Sequence, residues 1–547
     1  MKLGTRGSDL ALWQARLVRA LLLQKAGVDA EMVIIKTQGD HDQLATFDKM
    51  EGKGFFTKEI EEALLNRSID LAVHSLKDLQ TQMPDGLSLG GLIERADRRD
   101  MLLIRPEAVD DSRPLHLCEG ATVGTTSARR VSQLRFLRPD LNVVPLRGNV
   151  PTRLRKLRDG EYDAVLVATA GVERLQLSLQ GLTAHRLHES VFVPAPGQGA
   201  LAVQIRDDDR NTQAAVAAIA DPDLLDTIWL EREVLRRLEG GCLLPLGTCA
   251  DLTGTYFRLH TFLGTTDTRE PRRFVISGKD KEIMVSRAVS YLRGVAPSPV
   301  DPGRRVRIWI TREPARADEF CADCDPARFD VAAVPVFYAV KAGSPEQHKQ
   351  ALSRLASYGW IFFTSQTTVT EFARLMQEAG ASLSPQTMIA AVGNKTARAI
   401  KHQGWRLDFV SEVADAESLG KQFVAHPKAA TGTILFPCGA KASADLEKIA
   451  LGGGLLLERL VCYDTIEHPD LAQTLLALPD PDAAVFTSPS AVKFLVARRA
   501  LPSHIPVVSI GPSTTDTLVA AGFPIVWEAV DRSLKGLAEV VHGLYPE

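Results

Sequence analysis

The 547-residue chain carries 64 Lys and Arg against 67 Asp and Glu, a formal charge of −3. That balance excludes a nucleic-acid-binding surface as the main feature, and 45% apolar with 24% charged residues is ordinary for globular domains. No run reaches the ~20 apolar residues of a membrane span, and MKLGTRGSDL lacks a signal-peptide core. The chain therefore reads as cytoplasmic, with no nucleic-acid or membrane partner, and as roughly three to five compact units.

The chain opens with a short strand, a loop and a helix, in which Leu10, Trp13, Leu17 and Leu21 recur at helical spacing. Ser8 or Asp9 caps the helix. Arg6 lies in the loop beside unpaired backbone N–H groups, a place that binds anions; a solvated arginine is the plain alternative. Next, GKGFFTKEIEEALL sets Lys53 and Lys58 around a Gly-Phe-Phe segment that reads as a lid. IDLAVHSL is a buried strand ending at Lys77 and Asp78. A Lys–Asp pair at the carboxyl end of a strand is placed for chemistry, a cap or structural ion pair being the alternative. A carboxylate ~4 Å from a developing cation contributes roughly 4 kcal/mol at an effective dielectric near 20, and Asp78 is the candidate.

ATVGTTSARRVSQLRFLRPD repeats the strand–turn–helix design with Arg129 and Arg130 at the helix entrance. NVVPLRGNVPTRLRKLRDG repeats it again, with Arg147 in the loop and Arg153 on the helix; Arg155 reads as a solvated charge. Three such turns suit one cleft that takes a ligand with several carboxylates or phosphates, each charge-assisted bond being worth about 1.5–3 kcal/mol. YDAVLVATAGVERL and VPAPGQGALAVQIR add two further buried strands, giving two doubly wound lobes.

A small α/β unit follows, from about Asp221 to Arg293. Its helix DLLDTIWLEREVLRRLEG is expected to end at Gly240 and Gly241 as a C-cap. Cys242 then sits on a bent, open loop, where another molecule can reach its thiol. Taken locally, it reads first as a small apolar filler, and the arginine-bearing loops upstream turn that reading toward chemistry. FRLHTFLG and RRFVISG form a hairpin backed by the helix KEIMVSRAVSYLRG. A non-catalytic anion-binding module is the rival for this half, and a thiol on that loop argues against it. The seven cysteines are odd in number and scattered, so no disulfide framework is expected. Cys321 and Cys324 form a lone CxxC without further ligands nearby, and no metal site is expected.

GTRGSDLALWQA, GKGFFTKEIEEALL, DLAVHSLKDL, GTTSARR, LRGNVPTRL, YDAVLVATAG, PAPGQGAL and LEGGC together resemble the porphobilinogen deaminase (hydroxymethylbilane synthase) family, in order, over nearly all of residues 1–296. The resemblance implies three domains, the first two like periplasmic binding proteins: 1–98 plus 199–217, 99–198 and 218–295. It implies a dipyrromethane cofactor held as a thioether on Cys242. That cofactor primes addition of four porphobilinogens, each losing ammonia, before water releases hydroxymethylbilane. Every pyrrole carries an acetate and a propionate, which suits the arginine loops. By this resemblance Lys77, Ser127, Arg129, Arg130 and Arg147 meet the cofactor. Arg6, Ser8, Lys53, Lys58, Arg153, Arg174 and Gln198 meet substrate, and Asp78 is the catalytic aspartate. Departures from the family pattern are Asp9 after the serine, Ala128 before the arginine pair, Leu243 after the cysteine and Leu79-Gln80 after the aspartate.

VAPSPVDPGRR, Val295 to Arg305, reads as a semi-stiff linker, with 296–304 as the linker proper. Beyond it WIFFTSQTTVTEFARLMQEAG is echoed by AAVFTSPSAVKFLVARRA, and IAAVGNKTARAIKHQGW by PVVSIGPSTTDTLVAAGF, about 120 residues apart. Thr364, Ser365, Thr487, Ser488, Gly393 and Gly511 offer hydroxyls and N–H groups at helix starts, which suits anions or simple capping. Thr311-Arg312, FTSQTTV, VGNKTARAI, CYDT, FTSPSAV and SIGPSTTDTL resemble the uroporphyrinogen-III synthase family across 305–547. That resemblance implies two α/β lobes, 305–339 plus 464–547 and 340–463, joined by a two-stranded connector near Ala339 and Tyr463, with substrate between them. It assigns Tyr463 to help the hydroxyl leave, a core tyrosine being the alternative. It assigns Thr311, Arg312, Thr364, Ser365, Thr487, Ser488 and Gly511 to substrate. The expectation is a monomeric bifunctional enzyme of tetrapyrrole (porphyrin and haem) synthesis, transferase then lyase, of α/β class. A second half that only docks or regulates is the alternative.

Overall fold

The computed structural model describes residues 1–37, 57–241, 243–264, 270–296, 303–411, 416–424 and 432–546. It is an α/β molecule with two compact units, residues 1–305 with 503–547, and residues 306–502.

The first sheet is built from β1 (Lys2–Thr5), helix α1 (Asp9–Leu21), β2 (Glu31–Ile34), α2 (Lys58–Leu65), β3 (Leu71–Ser75) and β4 (Leu87–Arg95). Ser8 caps α1 by accepting from the Ala11 N–H. The fully buried line of α1 runs through Ala15 and Val18, with Leu17 and Leu21 packed beside it, so the apolar stripe is rotated from the one read in sequence. Trp13 leaves the core for the Arg174 guanidinium, 5.6 Å from its ring centre.

The second sheet takes β5 (Asp100–Ile104), β6 (Thr122–Gly124), α3 (Ala128–Leu137), β7 (Asn142–Val144), α4 (Val150–Arg158), β8 (Ala164–Ala168), α5 (Thr169–Arg174) and β9 (Thr183–Arg186), in the order β7-β6-β8-β5-β9. The chain then returns as β10 (Ala200–Arg206), completing the first sheet in the order β2-β1-β3-β10-β4. β3 and β10 are buried without alternation, because helices cover both faces. The two crossover segments touch where the Ala96 N–H donates to the Gly199 carbonyl at 3.1 Å. Gly199 has φ +85°, and a Cβ there would stand 2.5 Å from the Ala96 oxygen, so only glycine fits.

Helix α6 (Leu225–Arg237) leads to an antiparallel meander of β11 (Leu246–Thr253), β12 (Tyr256–Leu263) and β13 (Arg272–Gly278), backed by α7 (Lys281–Arg293). The helix does not end at the glycines as expected. The left-handed residue is Glu239, with φ 56°. Gly240 serves a close approach instead, since a Cβ there would meet the Leu244 side chain at 2.3 Å.

In the second unit β14 (Val306–Ile310) lies between β15 (Phe329–Ala333) and the later β22 (Ala483–Phe486), all parallel. A six-stranded sheet in the order β16-β21-β20-β17-β18-β19 holds β16 (Phe337–Lys341), β17 (Tyr358–Phe363), β18 (Met388–Val392), β19 (Phe409–Ser411), β20 (Thr433–Gly439) and β21 (Leu457–Glu467). Ile361 and Phe363 enter one core and Trp360 and Phe362 the other, as the two-residue period of a strand requires. β16 and β21 pair antiparallel, Ala339 opposite Thr465 and Lys341 opposite Tyr463. Helices α8 (Gln366–Ala379) and α9 (Pro489–Arg498) follow β17 and β22, capped by Ser365 and Ser488.

The chain closes with β23 (Val507–Ser509), α10 (Pro512–Ala520), β24 (Ile525–Glu528) and α11 (Leu534–Leu544). β24 runs parallel to β23 and antiparallel to β13, with Val275 opposite Glu528 and Gly278 opposite Ile525. Residues 503–547, read in sequence with the lobe 305–339 plus 464–547, thus group compactly with residues 1–305.

Candidate functional site

Strand β3 delivers Lys77 and Asp78 on a single 3-10 turn, Leu76–Asp78, with Asp78 exposed. The turn is steadied from α1, whose Gln14 amide donates to the Ser75 hydroxyl at 2.9 Å. Burial lowers the Lys77 pKa to about 8; Asp78 opposes that shift, while Arg130 and Arg129 add to it. Arg153, at the start of α4, is also lowered by burial, to about 10, with Arg130 lowering and Asp78 raising it. Its Nε donates to the Gly148 carbonyl at 2.8 Å. Lys77 and Asp78 from the first sheet therefore share one field with Arg130 and Arg153 from the second.

Arg129 and Arg130 are each 5% exposed and are anchored on Asp100, which is wholly buried. Arg129 Nη1 donates to Asp100 Oδ2 at 2.6 Å and to the Val193 carbonyl at 2.9 Å. Arg130 Nη2 and Nε donate to Asp100 Oδ1 at 2.6 and 3.0 Å, and its Nη1 to the Leu166 carbonyl at 2.8 Å. Burial alone would raise the Asp100 carboxyl, but the two guanidiniums hold it well below the usual carboxylate range. Gln198 donates to Asp100 Oδ1 at 3.2 Å and to the Arg98 carbonyl at 2.8 Å. Its own Oε1 is buried with no hydrogen-bond partner among the described residues.

The other residues singled out in sequence take varied places. Ser8 is committed to capping α1. Arg6 is half-buried and lies close enough to His74 to lower that imidazole, after burial, to about 4. Ser127 stands at the start of α3 without capping it. Arg147 is half-buried in its loop, and Lys58 is exposed at the start of α2. Arg174 does not face an opening: it is 7% exposed, and its Nη2 donates to Glu94 at 2.9 Å and to the Gly199 carbonyl at 2.8 Å. Cys242 and Lys53, with the Gly-Phe-Phe segment, lie outside the described residues.

Two buried carboxylates were not picked out in sequence. Asp100 was visible only as an acid opening the apolar run MLLI. Glu231, on α6, accepts from Arg95 Nη1 and Nη2 at 2.8 and 3.0 Å and from the Gly197 and Ala250 N–H groups at 2.8 Å. It joins both crossover strands to the helix that leads to residue 242. Its signal was a glutamate on a helix that ought to be apolar on that face.

In the second unit, the Thr311 and Thr487 hydroxyls tie strand ends together: Thr487 Oγ1 donates to the Thr311 carbonyl at 2.8 Å, and Thr311 Oγ1 to that of Val485 at 3.1 Å. Ser365 and Ser488 are spent on caps. Thr364 is half-buried, as is Arg312, whose pKa is lowered by burial and then by Arg316. Tyr463 is half-buried, packed partly on the core, and its ring lies 3.0 Å from where a Cβ on Gly439 would stand. Separately, in the first unit, Gly511 opens α10 and packs against the Arg532 side chain. Among the described residues no group of three or more His, Cys, Asp or Glu is placed to hold a metal ion, and no helix is long and apolar enough to cross a membrane.

Residues 1–214 match the family model of the porphobilinogen deaminase dipyromethane cofactor binding domain, and 225–289 that of the porphobilinogen deaminase C-terminal domain. Residues 318–539 match the model of uroporphyrinogen-III synthase HemD. The chain is 47% identical over 258 residues to a porphobilinogen deaminase of Nitratidesulfovibrio vulgaris (strain DP4), covering 46% of this chain and 79% of that protein. It is 41% identical over 271 residues to one of Syntrophobacter fumaroxidans, covering 49% and 86%. Among solved structures, a mutant uroporphyrinogen-III synthase from the extremely thermophilic bacterium Thermus thermophilus aligns at 22% identity over 44% of this chain and 100% of that one, with a TM-score of 0.34.

Proposed function

We propose, for a chain that belongs to the porphobilinogen deaminase family and continues into a uroporphyrinogen-III synthase domain, that one polypeptide runs two consecutive reactions. The first half polymerises four porphobilinogens to hydroxymethylbilane with loss of ammonia. The second closes and dehydrates that bilane to uroporphyrinogen III with ring D inverted. The family match over residues 318–539 is to a synthase, which sets aside a purely regulatory second half.

One observation carries the first reaction: among the described residues, Lys77, Arg129, Arg130 and Arg153 share one field with the carboxylates of Asp78 and Asp100. That excess of positive charge suits pyrroles bearing an acetate and a propionate. The unpartnered Gln198 Oε1 is an acceptor fit for a pyrrole N–H. These groups fit the dipyrromethane, which would be held by Lys77, Ser127, Arg129, Arg130 and Arg147 with its thioether on Cys242. When bound it supplies a covalent pyrrole primer. Around it, Arg129 and Arg130 hold carboxylates in a fixed fork, because Asp100 has already oriented them. Arg6, Ser8, Lys53, Lys58, Arg153 and Gln198 are proposed to position incoming porphobilinogen; Arg174 supports the crossover instead. Asp78 sits where positive charge develops as ammonia leaves, and stabilises it without reorganisation.

In the second half the task is to fold a flexible bilane so that the reacting atoms meet in the right order. Thr311, Arg312, Thr364, Ser365, Thr487 and Ser488 are proposed to contact its carboxylates through hydroxyl and N–H groups, and Tyr463 to assist the departing hydroxyl. The protein is proposed to be monomeric and cytoplasmic, without nucleic-acid or membrane partners.

Intact-mass measurement tests the reading. Protein made in a pyrrole-replete cell should weigh more than its amino acids by a dipyrrole, and Cys242→Ser should not. An unmodified wild-type mass overturns the first reaction. Product analysis for the type III isomer tests the second.

A further inference from the structure

The last strand of the chain extends the sheet of the cysteine-bearing domain. Within residues 1–305 and 503–547, the strand order is β11-β12-β13-β24-β23. The β13–β24 register joins Val275 to Glu528, Ile276 to Trp527, Ser277 to Val526 and Gly278 to Ile525. Behind it Phe274, Tyr291 and Trp527, each at most 4% exposed, pack with ring centres 4.4 to 5.1 Å apart, Tyr291 stacked on Trp527 and Phe274 tilted against both. Polar groups close one end of the contact. The Tyr256 hydroxyl donates to the Asp516 carboxylate, and Arg258 lies 3.5 Å from the buried Glu528.

The sequence of β13 agrees with a permanently covered edge. Its FVIS run carries no proline or lysine, the devices by which exposed edge strands avoid pairing with other chains. Strand directions add a second point. Leu246, the first residue of β11, is opposite Leu263, and Leu263 is opposite Arg272. The loop before β11 therefore shares a sheet end with the start of β13. Because β24 is antiparallel to β13 and β23 parallel to β24, the turn after β23, at Gly511, emerges at that same end. Four strand spacings separate β11 from β23, about 19 Å.

We infer that the pairing of β24 with β13 is a docking interface that holds the cysteine-bearing domain and the Gly511 turn on one end of one sheet, independently of the covalent linker. The occupant of the β13 edge is this chain's own C-terminal segment, and the inference holds whichever reactions the two halves catalyse. A protease site placed between Ala296 and Gly303 of the full chain tests it. After cleavage the two fragments should co-migrate by size exclusion and native mass spectrometry at micromolar concentration. Separation of the fragments overturns the inference. In a dilution series of the cleaved protein, Asp516→Ala and Tyr256→Phe should each weaken association by about tenfold or more. The double variant should lose less than the sum of the single effects, because the two side chains share one bond while each also meets Arg258. Association unchanged by both substitutions also overturns it. Both residues sit outside the proposed catalytic groups, so turnover of the uncleaved variants should stay at the wild-type level and report that they fold.

Discussion

Arg130 Nη2 lies 2.6 Å from Asp100 Oδ1, and neither side chain reaches water to any useful extent. A strong ion pair here is a cost as well as a gain, since both groups were stripped of solvent to form it. Its value lies in direction: the guanidiniums of Arg129 and Arg130 cannot swing, so their remaining N–H edges are aimed before a ligand arrives.

Removing that carboxylate should be severe. Asp100→Ala leaves two buried guanidiniums without their counter-ion, and a loss of about 3–5 kcal/mol is expected in urea unfolding at neutral pH. The native carboxyl is held below its unfolded value of ~3.9, so the stabilisation is complete above about pH 4 and is lost as pH falls toward the native value. The gap between wild type and variant should be constant from about pH 5 to 8 and narrow below about pH 4.

Lys77 makes an alkaline prediction. Its pKa of about 8 is below the ordinary ~10.4, so the folded protein releases this proton first. Stability should therefore rise between those two values, and Lys77→Met should abolish that slope. Affinity for a polycarboxylate pyrrole should move the other way. KM should climb above about pH 8, by up to tenfold per unit, and Lys77→Arg should flatten the profile. Initial rates from about pH 7 to 9.5 would read the KM effect, and urea unfolding over the same range the stability slope.

For Asp78, a structural role and a catalytic role separate cleanly. Asp78→Asn should keep the pyrrole adduct in the mass spectrum and the thermal midpoint of wild type, while turnover falls about 10²–10³-fold. Turnover within a factor of about two of wild type would remove Asp78 from the mechanism.

In the second half the sensitive contact is between Gly439 and Tyr463. A methyl group at residue 439 would press on the ring at 3.0 Å and push it off its place. Gly439→Ala should lower the type III fraction of the product as far as Tyr463→Phe does. If only Tyr463→Phe lowers it, ring placement is not the limiting feature.

What was legible in the sequence was local. A strand, a Gly/Ser/Thr turn and a helix with arginine at its mouth are written within about twenty residues, and three such units stood out. Their counter-ion was not legible, because Asp100 is 29 residues from Arg129 and looks like any acid at a strand start. Glu231 is hidden in the same way, 136 residues from Arg95. A hydroxyl at a helix mouth in the second half reads the same in sequence whether it caps, binds or does both. Thr311, Thr487, Ser365 and Ser488 stand at strand ends and helix mouths, but their hydrogen bonds serve those strand ends and caps. For the β13–β24 pairing the run FVIS showed only an unguarded edge, since a strand carries no mark of which neighbour will cover it.

At the mouth of α3 two guanidiniums share the one carboxylate of Asp100. Asp100 offsets one of their two positive charges, so an anionic visitor completes the folded state as well as the reaction. A ligand at about a hundredfold excess over its Kd adds about 2.7 kcal/mol of resistance to unfolding, and one anchored by a covalent bond never dilutes away. Unloaded copies should then be the ones that cellular proteases remove first, and the amount of protein in the cell should follow the supply of its own building block.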